Sequence, residues 1–468
     1  MSHSDHADPK ESPSVARRTF LASAAAVTAG FTIVPRHVLG GQGVTAPSDK
    51  LNIAGVGIGG MGKNNIGRCA TENIVALCDV DFTLADPVFK KYPGAKQYRD
   101  YRVMLDERPD IDAVVIATPD HSHAMIAMAA MEKKKHVYVQ KPLTHSVYEA
   151  RLLTETARKY GVATQMGNQG HSGEGARLLC EWVWDDAIGK IREAHAWTNR
   201  PVWPTGIEVD RPKETPEVPA GLDWDLWLGP APARPYHPTY HPAKWRAWWE
   251  FGTGSLGDMG CHIVDPLFWA LKLKYPISVE ANISRYWGAF FEQTQPKNEM
   301  FPRSTIVRLR FPAREKMPEV SVTWWDGGLM PPRPAGLEPG RRMGNEDGGI
   351  LLIGEKGTIM AGCYGESPRL VPESAMKKYK KRPRRTLERI PEGPDGHEQD
   401  WVRACKGGRP ASSNFEYSGP LSEMVLMGNL AVRFPDRELL WNGAAMEVTN
   451  DKDANAYVRR QYRDGWHL

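Results

Sequence analysis

The sequence has no apolar run of the about 18 residues that a bilayer-spanning helix needs, so no membrane span is expected in the mature chain. It has no C-x-x-C pair. Its six cysteines, Cys69, Cys78, Cys180, Cys261, Cys363 and Cys405, lie far apart, which argues against a zinc or dithiol centre and against a disulfide framework. They read as small buried apolar side chains. Charge of one sign is missing too: +4 over 468 residues leaves no electrostatic footprint for nucleic acid. The basic run from Lys377 to Arg385, broken by Pro383, reads as a solvated loop. No internal repeat is evident. What remains is ordinary globular composition, 25% charged and 41% hydrophobic, in a chain too long for one core of about 250 to 300 residues.

Residues 1–46 read as an address and linker. Arg17-Arg18 precede Phe20-Leu21 and a short stretch of small apolar residues, which resembles a twin-arginine export signal, with Val44-Thr45-Ala46 as a cleavage site. A periplasmic or otherwise exported protein is expected. That route carries folded proteins, so a cofactor acquired before export has to be held tightly.

From Leu51 the pattern alternates short apolar β-rich runs with helical spacing, the signature of a doubly wound parallel sheet over residues 50–167. Strands are expected at 51–56, 73–80, 113–118, 136–140 and 162–167, with helices over Asp120 to Lys135 and Ser146 to Tyr160. The first strand runs into Gly57-Ile58-Gly59-Gly60-Met61-Gly62, a G-x-G-x-x-G turn: one glycine for the bend, one for backbone approach to a pyrophosphate, one for helix packing. The second strand ends in Asp79, placed to accept from ribose hydroxyls and to repel a 2'-phosphate, so NAD is favoured over NADP.

The third strand leads into Thr118-Pro119-Asp120-His121-Ser122-His123 and the fourth into Gln140-Lys141-Pro142. A later segment, Gly254 to Asp265, holds Asp258, His262 and Asp265 at spacings of four and three. Together these resemble the Gfo/Idh/MocA oxidoreductases, with their T-P-[ND]-x-x-H loop, E-K-P strand end and D-x-x-x-H-x-x-D helix. Gln140 stands where the family usually has Glu, which removes a charge beside Lys141. The resemblance implies NAD contacts from Gly57, Gly59, Gly60, Met61, Gly62, Asp79, Thr118, Pro119, His121, His123, Gln140 and Lys141, and a catalytic set of Lys141, Asp258 and His262. It argues against a zinc site at His121 and His123, which lie in the dinucleotide-facing loop. Spacing of four places Asp258 and His262 on one helical face, and Pro266 either kinks that helix or starts a new one.

Residues 168–468 are expected to form a substrate and oligomerisation domain with a large, mainly antiparallel sheet, from the alternating runs near 278–287, 305–311, 319–325 and 349–360. The resemblance implies a homo-oligomer, dimer or tetramer, assembled on that sheet. Ten of the 16 tryptophans fall between Trp182 and Trp269, many beside His, Arg and Pro, which suits sugar rings with apolar faces and hydroxyl edges. Asn168, Gln169, His171, Arg200, His241, Lys244 and Trp248 are candidate substrate contacts alongside Lys141, Asp258 and His262. The expected chemistry is hydride transfer between a sugar carbinol carbon and the nicotinamide, with His262 as base, Lys141 stabilising the alkoxide and Asp258 orienting the imidazole or joining the proton relay. Two alternatives stand beside it: an NAD-dependent glycoside hydrolase or lyase working by transient oxidation, and a non-catalytic carbohydrate-binding protein.

Overall fold

Strands covered by helices on both sides carry apolar residues on both faces, and the first sheet follows that rule. The computed structural model describes residues 49–203, 211–285, 287–289, 292–293, 299–380 and 382–468, and from Leu51 onward they form one unit. The expected export signal lies outside the described residues. The first sheet has strands β1 (Asn52–Val56), β2 (Asn73–Cys78), β3 (Lys96–Tyr98), β4 (Ala113–Ile116), β5 (His136–Val139) and β6 (Thr164–Met166) in the order β3-β2-β1-β4-β5-β6, all parallel. This is the doubly wound dinucleotide topology. Between the strands run helices α1 (Gly62–Arg68), α2 (Phe82–Lys91), α3 (Tyr101–Glu107), α4 (His123–Glu132) and α5 (Val147–Tyr160). A Ser146/Glu149 capping box opens α5 and Gly161, at φ +63°, closes it. Edge strand β3 is the one that the sequence does not announce: Lys96 and Gln97 are exposed and leave no apolar run to read.

After α6 (Glu174–Trp184) the chain enters a nine-stranded sheet through β7 (Ile191–Thr198), then passes α7 (Trp224–Leu228), α8 (Gly254–Ile263) and α9 (Asp265–Ala270). The sheet continues with β8 (Ser278–Ile283), and a two-stranded ladder, β9 (Trp287–Ala289) with β10 (Glu292–Gln293), stands apart from it. Then come β11 (Thr305–Phe311), β12 (Val320–Trp325), β13 (Gly348–Gly354), β14 (Gly357–Gly362) and β15 (Arg369–Val371), followed by α10 (Glu373–Lys378), α11 (His397–Cys405), α12 (Phe415–Arg433), β16 (Glu438–Asn442) and β17 (Glu447–Val448). The order is β15-β14-β13-β7-β12-β11-β8-β16-β17, antiparallel throughout except for the β7 and β12 pair. Alternation is plain in β11, where Thr305, Val307, Leu309 and Phe311 point inward while Arg308 and Arg310 point out.

Helix α12 links the two halves, packing on α5 of the first sheet and on α8 and β8 of the second. Helix α11 returns further: Trp401, Val402 and Ala404 join Ile53, Ile66, Leu77, Val115 and Tyr138 in one apolar cluster on a face of the parallel sheet. Trp401 is fully buried, with its ring edge-on to Tyr138 at 5.7 Å. The six cysteines are free, five of them buried. Among the described residues no helix is long and apolar enough to cross a membrane. If α11 is integral to the first core, Trp401→Ala should cost about 3 to 5 kcal/mol of unfolding free energy; urea denaturation measures it, and a loss under about 1 kcal/mol would mark α11 as peripheral.

Candidate active site

Four parallel strands, β1, β2, β4 and β5, end on one edge of the first sheet and open into a cavity of about 480 Å³. Ligands of such sheets lie at this edge. The chain turns there at Gly57, with φ of +77°, and a Cβ on that residue would lie 2.6 Å from Thr118 N. Gly62 brings α1 so near that a Cβ would stand 2.2 Å from Gly57 O. A Cβ on Gly60 would meet open space, and Met61 is half exposed. Asp79, at the end of β2, accepts from Gly59 N through Oδ2 and from Asp81 N through Oδ1, both at 3.0 Å. Burial pushes its carboxyl up from the ordinary value, against the pull of those N–H groups. Arg99, also on the cavity wall, is tied down through Nη1, which donates to Val80 O and Gly221 O, and its guanidinium lies over Phe82. The residues present therefore fit a dinucleotide of the NAD type, cradled by 57–62, with Asp79 at the adenosine ribose and Thr118, Pro119 and Gln140 further along the wall.

The other end of the cavity joins both halves of the molecule. Lys141 Nζ, from the end of β5, donates to Asp258 Oδ1 at 2.8 Å and also to the Asp258 carbonyl. Asp258 and His262 sit one turn apart on α8, both facing the cavity, and α9 begins as a separate helix with Pro266 in its first turn. Arg246 Nε lies 3.3 Å from Asp258 Oδ1 and Arg200 Nε lies 3.9 Å from Oδ2. Burial works to raise the Asp258 carboxyl, but Lys141 and Arg246 outweigh it and bring it down to about 2. Burial, helped by the Lys141 ammonium, holds the His262 imidazole well below its ordinary value and hence neutral. Its Nδ1 is buried without a hydrogen-bond partner, and Tyr364 meets the ring edge-on at 5.0 Å. One expected role changes. Asp258 is the counter-ion of Lys141 and two arginines, and no hydrogen bond joins it to the imidazole.

Six expected contacts lie elsewhere. His121 is buried with Nε2 3.0 Å from Trp227 O and Nδ1 3.3 Å from Phe251 O, and burial lowers it to about 3. It anchors a covering segment instead of touching a dinucleotide. His123 spans Thr118 O and Pro142 O, each at 2.9 Å, and so ties together the two strand ends. Asn168 is fully buried, with its Oδ1 accepting from Ser413 Oγ. Trp248 is fully buried in a cluster with Trp227, Tyr240 and Phe251, donating from Nε1 to Thr239 O. His171, also buried, pairs with Asp265 and stacks on Trp269, and Lys244 is exposed away from the cavity wall. Gln169, Arg200 and His241 do line it. Gln140 turns from Lys141 to α1, its Nε2 donating to Asn65 Oδ1, while Asn65 Nδ2 donates to Glu398 on α11.

Sequence reasoning missed Arg246, Tyr364 and Trp466, all on the wall, where Trp245 of the tryptophan-rich stretch also lies. Arg246 had a signal, a cation beside aromatics at 245–249; Tyr364, in a turn after β14, and Trp466 had none. The segment from Gly221 to Phe251 lies across the mouth. Asp81 pairs with Leu222, Asp223 N donates to Val80 O at 2.8 Å, and His241 Nε2 meets Asp81 Oδ2 at 2.8 Å. Its stacked Trp224 and Trp227, with ring centroids 4.6 Å apart, stiffen the cover. Among the described residues, no group of three or more His, Cys, Asp or Glu could hold a metal ion.

Residues 51–168 match the sequence model of the Gfo/Idh/MocA oxidoreductase family, NAD-binding Rossmann fold, and residues 192–287 match that family's C-terminal alpha/beta domain. An inositol 2-dehydrogenase of Salmonella typhimurium is 32% identical over 111 residues, 23% of this chain and 33% of that protein. An alpha-N-acetylgalactosaminidase of Shewanella oneidensis is 28% identical over 207 residues, 38% of this chain and 45% of that protein. The chain thus spans less than half the length of these curated relatives. Among solved structures, the WlbA dehydrogenase of Bordetella pertussis, in complex with NADH and UDP-GlcNAcA, superposes with a TM-score of 0.58 at 17% identity, over 84% of this chain and 99% of that one.

Because the folded Asp258 carboxyl lies near 2, below its ordinary value, its pairing stabilises the protein above about pH 4 and that contribution is lost as pH falls through 2. The size is about 2 kcal/mol. Asp258→Asn should lower unfolding free energy by about 2 to 4 kcal/mol near neutrality, since it strands Lys141 and its neighbours. In urea titrations the gap from wild type should shrink between about pH 4 and 2; a pH-independent gap would assign the loss to packing.

Proposed function

We propose, from the premise that residues 51–168 and 192–287 carry the two domains of the Gfo/Idh/MocA oxidoreductase family, that this chain is an exported, NAD-dependent enzyme oxidising a hydroxyl carbon of a sugar or sugar derivative. One observation carries the reading. The Lys141 ammonium and the neutral His262 imidazole face the same cavity as the glycine turn and Asp79.

The residues divide the work by their charges. His262, neutral and next to a cation, accepts the proton leaving the substrate hydroxyl. Lys141 holds the oxygen as negative charge develops on it, in a site with little water to dilute the field. Asp258 keeps that ammonium aimed, and Tyr364 packs edge-on against the imidazole. When bound, the nicotinamide supplies the hydride acceptor for the carbinol carbon. The cover from Gly221 to Phe251, pinned to the end of β2, supports a tightly held nucleotide, as export in folded form requires. Export itself rests on Arg17-Arg18, and assembly as a homo-oligomer through the nine-stranded sheet rests on the family resemblance.

A second reading has a specific observation behind it, the longer match to the Shewanella oneidensis galactosaminidase. There the oxidation would be reversed within the cycle: a ketone two carbons from the glycosidic carbon would acidify the C–H between them, the aglycone would leave by elimination, water would add across the resulting double bond, and the hydride would return to the ketone. Aglycone release without net reduced nucleotide would favour it over a dehydrogenase.

Purified protein denatured and analysed by mass spectrometry should release NAD; a protein without nucleotide would point to a carbohydrate-binding role. Lys141→Met should retain the nucleotide while turnover falls by about 10²- to 10³-fold, since it removes one preorganised charge from the developing oxyanion. Turnover near that of the wild type would remove Lys141 from the chemistry.

A further inference from the structure

The substrate end of the cavity offers an excess of hydrogen-bond donors. Arg200 Nη1 is bonded to Asp347 Oδ1 at 3.1 Å and to Asn199, while its Nη2 has no acceptor among the described residues. Arg246 lies flat over Trp245 at 4.3 Å with Nη1 donating to Ala243 O at 3.3 Å, and its Nη2 is likewise unmatched. Both side chains line the cavity and are partly open, 20% and 33% exposed. Lys141 adds a third cation to the same wall.

Carboxylates are few beside them. Asp258 meets Lys141 and Arg246 through Oδ1, and Arg200 lies beside its Oδ2. Asp120, the other carboxyl on this wall, is buried and accepts from Thr253 Oγ1, and burial raises its carboxyl above the ordinary value. Asp347 lies off the wall, half exposed. A neutral sugar hydroxyl carries a donor hydrogen that guanidinium and ammonium groups cannot accept, so a wall rich in them leaves that hydrogen unmet. A carboxylate only accepts, and it matches the planar fork of an arginine.

We propose that the substrate is a sugar acid, a uronate or aldonate, whose carboxylate is bound between Arg246 and Arg200 while its reacting hydroxyl lies at Lys141 and His262. This rests on the hydride-transfer reading above and adds to it the class of substrate. Arg200 and Arg246 are then the specificity residues, and Asp258 keeps the three cations together until the ligand's own charge joins them.

The test uses the NAD-loaded enzyme and matched pairs: D-glucuronate with D-glucose, D-galacturonate with D-galactose, D-mannuronate with D-mannose. Calorimetry measures binding and nucleotide reduction measures kcat/KM. In at least one pair the acid should exceed the neutral sugar by about ten- to a hundredfold, the worth of one charge-assisted pair. That preference should fall when sodium chloride is raised. Arg246→Gln, which also loosens Asp258, should lower the acid's kcat/KM more than the neutral sugar's, so that the acid-to-neutral ratio falls by a similar factor; Arg200→Gln, which also loses its Asp347 partner, is the second variant. Neutral sugars that bind as well as their acids, or no binding by any of the three uronates at millimolar concentration, would overturn the proposal. Failure of the hydride reading looks different: no acid or sugar reduces the nucleotide, while the calorimetric preference for acids and its loss in Arg246→Gln persist.

Discussion

Everything at the reacting end depends on one carboxylate held among three cations. Asp258 belongs to a helix of the second half, and Lys141 belongs to a strand end of the first. A pair of this kind, largely withdrawn from water, gains from attraction only if the geometry is tight, and breaking it is costly. The contact at 2.8 Å, doubled by the bond from Lys141 to the Asp258 carbonyl, meets that condition. It fixes the ammonium next to an imidazole that burial keeps uncharged, so one interaction both joins the halves and aims a cation at the cavity. The sequence spacing of four between Asp258 and His262 anticipates their shared face, but not that the acid serves the lysine.

How far the chain could be read from its residues follows from which signals are local. The parallel strands were legible because burial on both faces writes a continuous apolar run, and the glycine turn because its bond angles and close approaches admit little else. Lys141, Asp258 and His262 were legible from strand-end position and helical spacing. Tyr364 and Trp466 were not, since each reaches the cavity from an irregular segment far along the chain, where no periodicity records a destination. Strand β3 and the short strands β15 and β17 fall below the length at which alternation can be seen.

The misplaced residues share a cause. His121, His123, Asn168 and Trp248 are polar or amphipathic groups next to a functional loop, and a sequence shows proximity along the chain without direction. All four point inward and satisfy backbone or core partners: the histidines tie loop carbonyls together, and the indole donates to Thr239. Such groups support the site by holding its loops. Gln140 belongs with them. Its amide faces Asn65 and, through it, Glu398 of α11, so the side chain turns away from Lys141.

That last arrangement bears on the order in which the molecule can be made. Glu398 and Trp401 complete one face of a sheet whose strands end at Met166, so more than two hundred residues separate the sheet from the helix that covers it. A chain synthesised from its N-terminus can lay α1 and α2 on that face early, but the part under Trp401, Val402 and Ala404 stays uncovered until α11 has emerged from the ribosome. The nucleotide half is therefore finished only when a helix from the far end of the chain docks on it.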